Sequence, residues 1–217
     1  MIVFERRSAS RGNRVTRSVA EPRVLLLIRI IGGLEKGKFV DRWKLQKTAF
    51  LAEIEMQKKG IGGLDYEFLR DKDGPMSPGI YKDMDLLIRS GFVSREYDPK
   101  LTPEGRSFLK SLDELYDAKE QVRDLLDTVL KSVIDESGGS LRKSTHDMEI
   151  VINGKQIKID NLPPYYCILH PLARAERKDE FEVPEDWRET IEIWSDQKIR
   201  KDLESTFKRV SRSDFVC

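Results

Sequence analysis

The stretch that decides the fold is Ser77–Leu109, SPGIYKDMDLLIRSGFVSREYDPKLTPEGRSFL. A capping hydroxyl at Ser77, then Pro78 at the first helical position, opens a helix. Ile80, Met84, Leu87 and Ile88 share one face up to Ser90, and Gly91 closes the helix. Phe92–Tyr97 alternates and Asp98-Pro99 follows, which reads as a strand and a turn. Thr102-Pro103-Glu104 repeats the capping logic and opens a helix to about Glu136. Along it Phe108, Leu112, Leu115, Val122, Leu126, Val129 and Val133 recur at spacings of four and three, interrupted only by Lys119. Such a helix would span roughly 50 Å, more than a domain of this size needs. The seam therefore reads as the interface of a homodimer, with packing on the chain's own domain as the competing explanation.

Working outward, the apolar run from Pro22 to Ile31 reads as a helix stopped by Gly32-Gly33. Asp41 caps a second helix, Arg42–Lys58, with Leu45, Ala49, Ala52 and Met56 on one face. Gly60–Gly63 ends it, and Tyr66–Leu69 is a short strand or part of a loop. Downstream, Ser137–Ser140 has a linker's composition. Met148–Ile152 and Lys155–Ile159 flank Asn153-Gly154, a type I′ hairpin signal. Pro184-Glu185-Asp186 starts a helix bearing Trp187, Ile191 and Trp194. Ile199, Leu203, Phe207 and Val210 continue it out of phase, which places a break near Ser195-Asp196.

The expected architecture is mostly α with small β elements. It comprises a flexible basic arm (residues 1–20), a domain whose Ser77–Leu109 order resembles a winged helix and which ends in a long helix (21–136), a linker (137–140) and a small α+β domain (141–217).

The 217 residues carry 39 Lys and Arg against 38 Asp and Glu, a formal net charge of +1. The total conceals a separation: residues 1–50 hold 12 basic and 4 acidic side chains, and residues 51–137 hold 13 and 19. Two cysteines, Cys167 and Cys217, cannot build a disulfide framework and suit a reducing cytosol. The run Val24–Leu34 contains Arg29 and is too short to span a bilayer, so no membrane role is expected. Residues 1–20 have a transit-peptide-like bias to Arg and Ser, although a basic arm is the plainer reading. Scarce Asn and Gln beside abundant charge fit a thermophilic source.

No catalytic constellation emerges. Gly32–Lys38 has the spacing of a phosphate-binding loop, but Phe39 stands where a magnesium-binding hydroxyl is required. Cys167 and His170 lie three apart, with His146 the only other histidine, so no metal site is expected. Neither histidine adjoins a nucleophile motif. The sequence supports a non-enzymatic protein without a cofactor.

The order helix–Gly–strand–turn–strand–Leu101-Thr102-Pro103-Glu104-Gly105-Arg106–helix resembles the recognition helix and wing of MarR-like and PadR-like winged-helix regulators. The resemblance implies major-groove entry by the Ser77–Ser90 helix, with Lys82 and Arg89 exposed and wing cations Arg95 and Lys100 on phosphates. It also implies a dimerising helix after the wing. Asp83 and Asp85 on the same helix, and Glu96 and Asp98 in the wing, depart from that pattern because carboxylates repel phosphate.

A second resemblance spans residues 24 to about 110. Trp43-Lys44-Leu45-Gln46-Lys47-Thr48-Ala49-Phe50-Leu51, then Gly74-Pro75-Met76-Ser77-Pro78-Gly79-Ile80-Tyr81, is similar to the paired "KLQKLLYL" and "GPxxPxxY" elements of the Panacea antitoxin-like domain. This implies a mostly helical module that neutralises a toxin or acts as a protein adaptor.

The leading expectation is a non-catalytic, DNA-binding transcriptional regulator. Arg6, Arg7, Arg11, Arg14 and Arg17 on the arm, with Arg42, Lys44 and Lys47 on the next helix, would contact double-stranded DNA. The alternative is a Panacea-like antitoxin or adaptor whose partner is a protein such as a toxin.

Overall fold

A computed structural model describes residues 18–38, 40–96, 98–152, 155–203 and 205. Helix α1 (Pro22–Leu34) is apolar nearly all round, and Val24–Ile28, Ile30 and Ile31 are fully buried. It runs through Gly32 and Gly33 instead of stopping there. A Cβ on Gly32 would lie 2.3 Å from Leu109 Cδ2, and one on Gly33 2.4 Å from Leu130 Cδ1. These glycines mark where two later helices approach closely, not a terminus.

Helix α2 (Arg42–Lys59) starts where Asp41 accepts the Lys44 amide at 2.7 Å, and ends at Gly60 with φ 73°. The expected apolar face is buried, but so are Lys44, Gln46, Lys47, Thr48 and Glu53. The reason is position: α2 is the central helix, packed by α1 and by two helices from the second half of the chain.

Strand β1 (Ile61–Gly62) is followed by an antiparallel pair, β2 (Phe68–Asp71) and β3 (Gly74–Met76), registered Leu69↔Met76. Helix α3 (Pro78–Arg89) opens with the Ser77 hydroxyl accepting the Gly79 amide at 3.2 Å. Ile80, Met84 and Leu87 are buried as expected, and Ile88 is partly so. Of the strand expected over Phe92–Tyr97, Tyr97 lies outside the described residues, and the described ones form an isolated antiparallel bridge, Val93↔Leu101, supported by Ser94 N donating to Lys100 O at 2.8 Å.

The long helix is instead three: α4 (Pro103–Ser111), α5 (Asp113–Asp117) and α6 (Glu120–Val133). Lys119, the residue that interrupts the seam, is where the backbone leaves helical geometry (φ −121°, ψ 60°). The bends let the chain wrap α1, and Tyr116 fixes the wrap by donating to Leu25 O at 2.7 Å while stacking on Phe181. Phe108, Leu112, Leu115, Val122, Leu126, Val129 and Val133 are each between 0% and 5% exposed in the isolated chain. The expected dimer seam is thus consumed by the protein's own core.

Residues 137–140 also depart from expectation. Ser137 caps Ser140 N at 3.1 Å and Gly138 begins helix α7 (Gly138–Asp147), which packs on α2. The hairpin β4 (Glu149–Ile152) and β5 (Lys155–Lys158) forms, paired Ile152↔Lys155, while its Asn153-Gly154 turn lies outside the described residues. Strand β6 (Cys167–Leu169) joins β2, giving the order β3-β2-β6, and β7 (Asp179–Glu180) pairs in parallel with β1. Helix α8 (Glu185–Ser195) buries Ile191 and sets Trp194 against Phe108. Helix resumes over residues 197–203 after the expected break, with Asp196 accepting the Lys198 and Ile199 amides. Phe207 and Val210 lie outside the described residues.

The fold is mostly helical with small sheets, and residues after 140 add strands and helices to the core of the first half. Among the described residues, no helix is long and apolar enough to cross a membrane.

Candidate functional site

The two segments singled out at Trp43–Leu51 and Gly74–Tyr81 meet in the interior. Gln46 grips the backbone of Ser77 from both sides: its Nε2 donates to Ser77 O at 3.1 Å, and its Oε1 accepts from Ser77 N at 2.9 Å. Lys47 Nζ donates to Pro75 O at 2.8 Å. One turn of α2 therefore holds the strand that leads into α3, which explains why those residue types occur at that spacing.

This placement corrects two members of the expected nucleic-acid patch. Lys47 is 1% exposed, and Lys44 is 0% exposed with Nζ on Ile134 O at 2.7 Å. Neither faces a duplex, because each donates a hydrogen bond to a backbone carbonyl of the chain itself. Burial, opposed by Asp73 and Asp71, lowers the Lys47 ammonium to a pKa of about 8. Asp83 is likewise internal, accepting from Tyr66 Oη at 2.9 Å and pairing with Arg23 Nε at 3.1 Å. Of the two carboxylates assigned to the outer face of α3, only Asp85 is exposed.

Lys82 and Arg89 on α3, and Arg95 and Lys100 in the bridged loop after it, are exposed; Lys100 lies 4.0 Å from Glu96. Arg42 is half-buried at the start of α2. Arg6, Arg7, Arg11, Arg14 and Arg17 lie outside the described residues.

A small groove lies between the first half of α2 and α3, lined by Arg42, Leu45, Ile80, Tyr81, Met84, Asp85 and Ile88. Tyr81 is 39% exposed on its wall, and Trp43, next to Arg42 on the first turn of α2, is 47% exposed. Large aromatics left in solvent beside an arginine are the residue types that dominate protein interfaces.

The string Gly32–Lys38 forms no phosphate cradle. Gly32 and Gly33 are helical, Gly37 lies in the bend after α1, and Glu35 accepts from the Leu101 amide and from Arg106 at 3.2 Å.

Two further clusters were hidden in the sequence. Glu53 is buried on α2 and receives Gln57 Nε2 at 3.0 Å; burial raises its carboxyl to a pKa of about 7. At the β2–β6 edge, Glu67 joins Cys167 and His170, with one ligand atom of each within 4.8 Å of the others. Burial and the neighbouring Glu67 push the Cys167 thiol up to about 11. The Cys167–His170 spacing was visible in the sequence, whereas Glu67, the residue just before β2, lies far away along the chain and carried no signal.

Comparison with known proteins finds no matching family model, no matching curated protein and no matching solved structure.

Proposed function

We propose that this chain is a non-catalytic protein-binding module of the antitoxin or adaptor kind, docking its partner on the α2–α3 groove. The observation that carries this reading is the exposure of Tyr81 on the wall of a groove held by the Gln46–Ser77 clamp, with Trp43 exposed on the first turn of α2, outside the groove lining. The clamp supplies the rigidity that a docking face needs, since a pre-ordered surface loses less entropy on binding. The resemblance of these two segments to the Panacea antitoxin-like domain points to the same kind of partner. The test is capture from the native host with tagged full-length chain. A stoichiometric partner that is lost from Trp43→Ala and Tyr81→Ala, both folded by circular dichroism, supports the proposal. Absence of such a partner, or its undiminished retention by both variants, overturns it.

A second reading, regulation through DNA, draws on the exposed Lys82, Arg89, Arg95 and Lys100 together with the arginines of residues 6–17. The loss of Asp83 from the outer face of α3 removes one source of repulsion. If these cations hold phosphates, duplex affinity falls steeply with salt and drops on deletion of residues 1–17. Fluorescence anisotropy on a labelled duplex reads both, and affinity indifferent to salt and to the deletion sinks this reading.

A further inference from the structure

In a straight strand, residues three apart project to opposite faces, so a Cys-x-x-His pair cannot converge. Here the pairing of β2 with β6 shifts register: Leu69 lies opposite Cys167, but Phe68 lies opposite Leu169. The extra residue on β6 is Ile168, and this bulge turns the chain by one position. Continuing the shifted register places His170 opposite Glu67. Cys167, opposite Leu69, then shares the face of Glu67, two residues from Leu69. The bulge thus brings together the thiol of β6, the imidazole of the residue just after it and the carboxylate of the residue just before β2.

We propose that Glu67, Cys167 and His170 form a binding site for a divalent, borderline-soft cation, zinc being the first candidate. Glu67 Oε1 already lies 3.5 Å from His170 Nδ1. That is the separation of two ligands in a tetrahedral zinc site, about 3.5 Å for metal–ligand bonds of about 2.0–2.3 Å. All three ligand atoms fall within 4.8 Å of one another. Glu67 and His170 are exposed and Cys167 half-buried, so small rotations of the two outer side chains close the triangle on the anchored thiol. The His170 backbone is itself held, because Gln57 of α2 donates to its carbonyl at 2.6 Å. Mixed sulfur, nitrogen and oxygen donors favour zinc over calcium or magnesium, which take oxygen shells. Binding releases the thiol proton to solvent and leaves a fourth position open. The site goes beyond the docking proposal and does not depend on it.

The test uses the full chain, freed of metal by chelation and titrated with Co(II) and then Zn(II). One equivalent of Co(II) should give the thiolate-to-cobalt charge-transfer absorption, and Zn(II) should bleach it. The band should vanish in Cys167→Ser and survive in Cys217→Ser. Affinity should fall by about tenfold or more in His170→Ala and in Glu67→Gln. Circular dichroism of each metal-free variant should match that of the parent. Absence of the band in the parent overturns the proposal. A band that follows Cys217 instead of Cys167, or one indifferent to both His170→Ala and Glu67→Gln, overturns it equally.

Discussion

Two ionisable side chains on α2 pull stability in opposite directions with pH. The Glu53 carboxyl titrates near 7 in the fold against 4.5 when free, so the folded chain binds the extra proton between those values. Stability therefore falls as pH rises from about 5 through 7. Lys47 titrates near 8 in the fold against 10.5 when free, so here the unfolded chain holds the extra proton. Stability rises again as pH climbs from about 8 toward 10. Between 7 and 8 both groups are charged and buried, which makes that window a local minimum of their combined contribution. The expected outcome is that Glu53→Gln removes the acid limb, gaining on the order of 2 kcal/mol over the parent at pH 8 and little at pH 5. Urea denaturation at the two pH values checks it, and an equal change at both would show that burial of the Glu53 charge does not set that limb. Lys44, Lys47 and Asp83 were misread from sequence for one reason. A charged residue type signals solvent unless a partner is known, and Ile134 O, Pro75 O and the Tyr66–Arg23 pair come from elsewhere in the chain.

At the scale of elements, caps and turns were the legible part. Asp41, Ser77 and Thr102 each accept the amide that their helix start requires. What sequence could not distinguish was a glycine that ends a helix from one that lets another element touch it. Gly105 shows the difference: a Cβ there would lie 1.9 Å from the Phe92 carbonyl oxygen, a backbone atom tied to Thr102 N. Gly105→Ala should destabilise the chain by about 3 kcal/mol or more, as overpacking against backbone does. Gly139, on the exposed first turn of α7, has only Ser137 Oγ near, at 3.8 Å. Gly139→Ala should stabilise by about 0.5–1 kcal/mol through helix propensity. Thermal denaturation of both variants checks the contrast, and equal effects would mean that the Phe92 contact is soft. The seam was legible as apolar but not as internal, because periodicity reports a buried face without saying what buries it. Leu126→Ala should cost about 2–4 kcal/mol, with a denaturation midpoint independent of protein concentration. A midpoint that rises with concentration would restore the dimer seam.

For the whole molecule, the division at residues 137–140 is the expectation that physical reasoning now reverses. Gly-Ser composition is equally that of a linker and of a capped first turn, and only packing separates them. The packing is decisive: α7 covers the face of α2 that carries Lys47, β6 completes the edge of β2, and β7 pairs with β1. Phe181 stacks on Tyr116, and Trp194 meets Phe108. A fragment of residues 1–136 would leave Lys47, Phe68, Tyr116 and Phe108 without these covers. The Lys47 ammonium would also gain water, so Pro75 would lose its dry hydrogen bond and α2 part of its hold on β3. Such a fragment should therefore not fold as a unit. Amide exchange should show full-length chain protected across α2 and α6, and the 1–136 fragment protected in neither. A fragment that keeps protection in α2 together with a cooperative thermal transition would show that the first half is an independent domain after all.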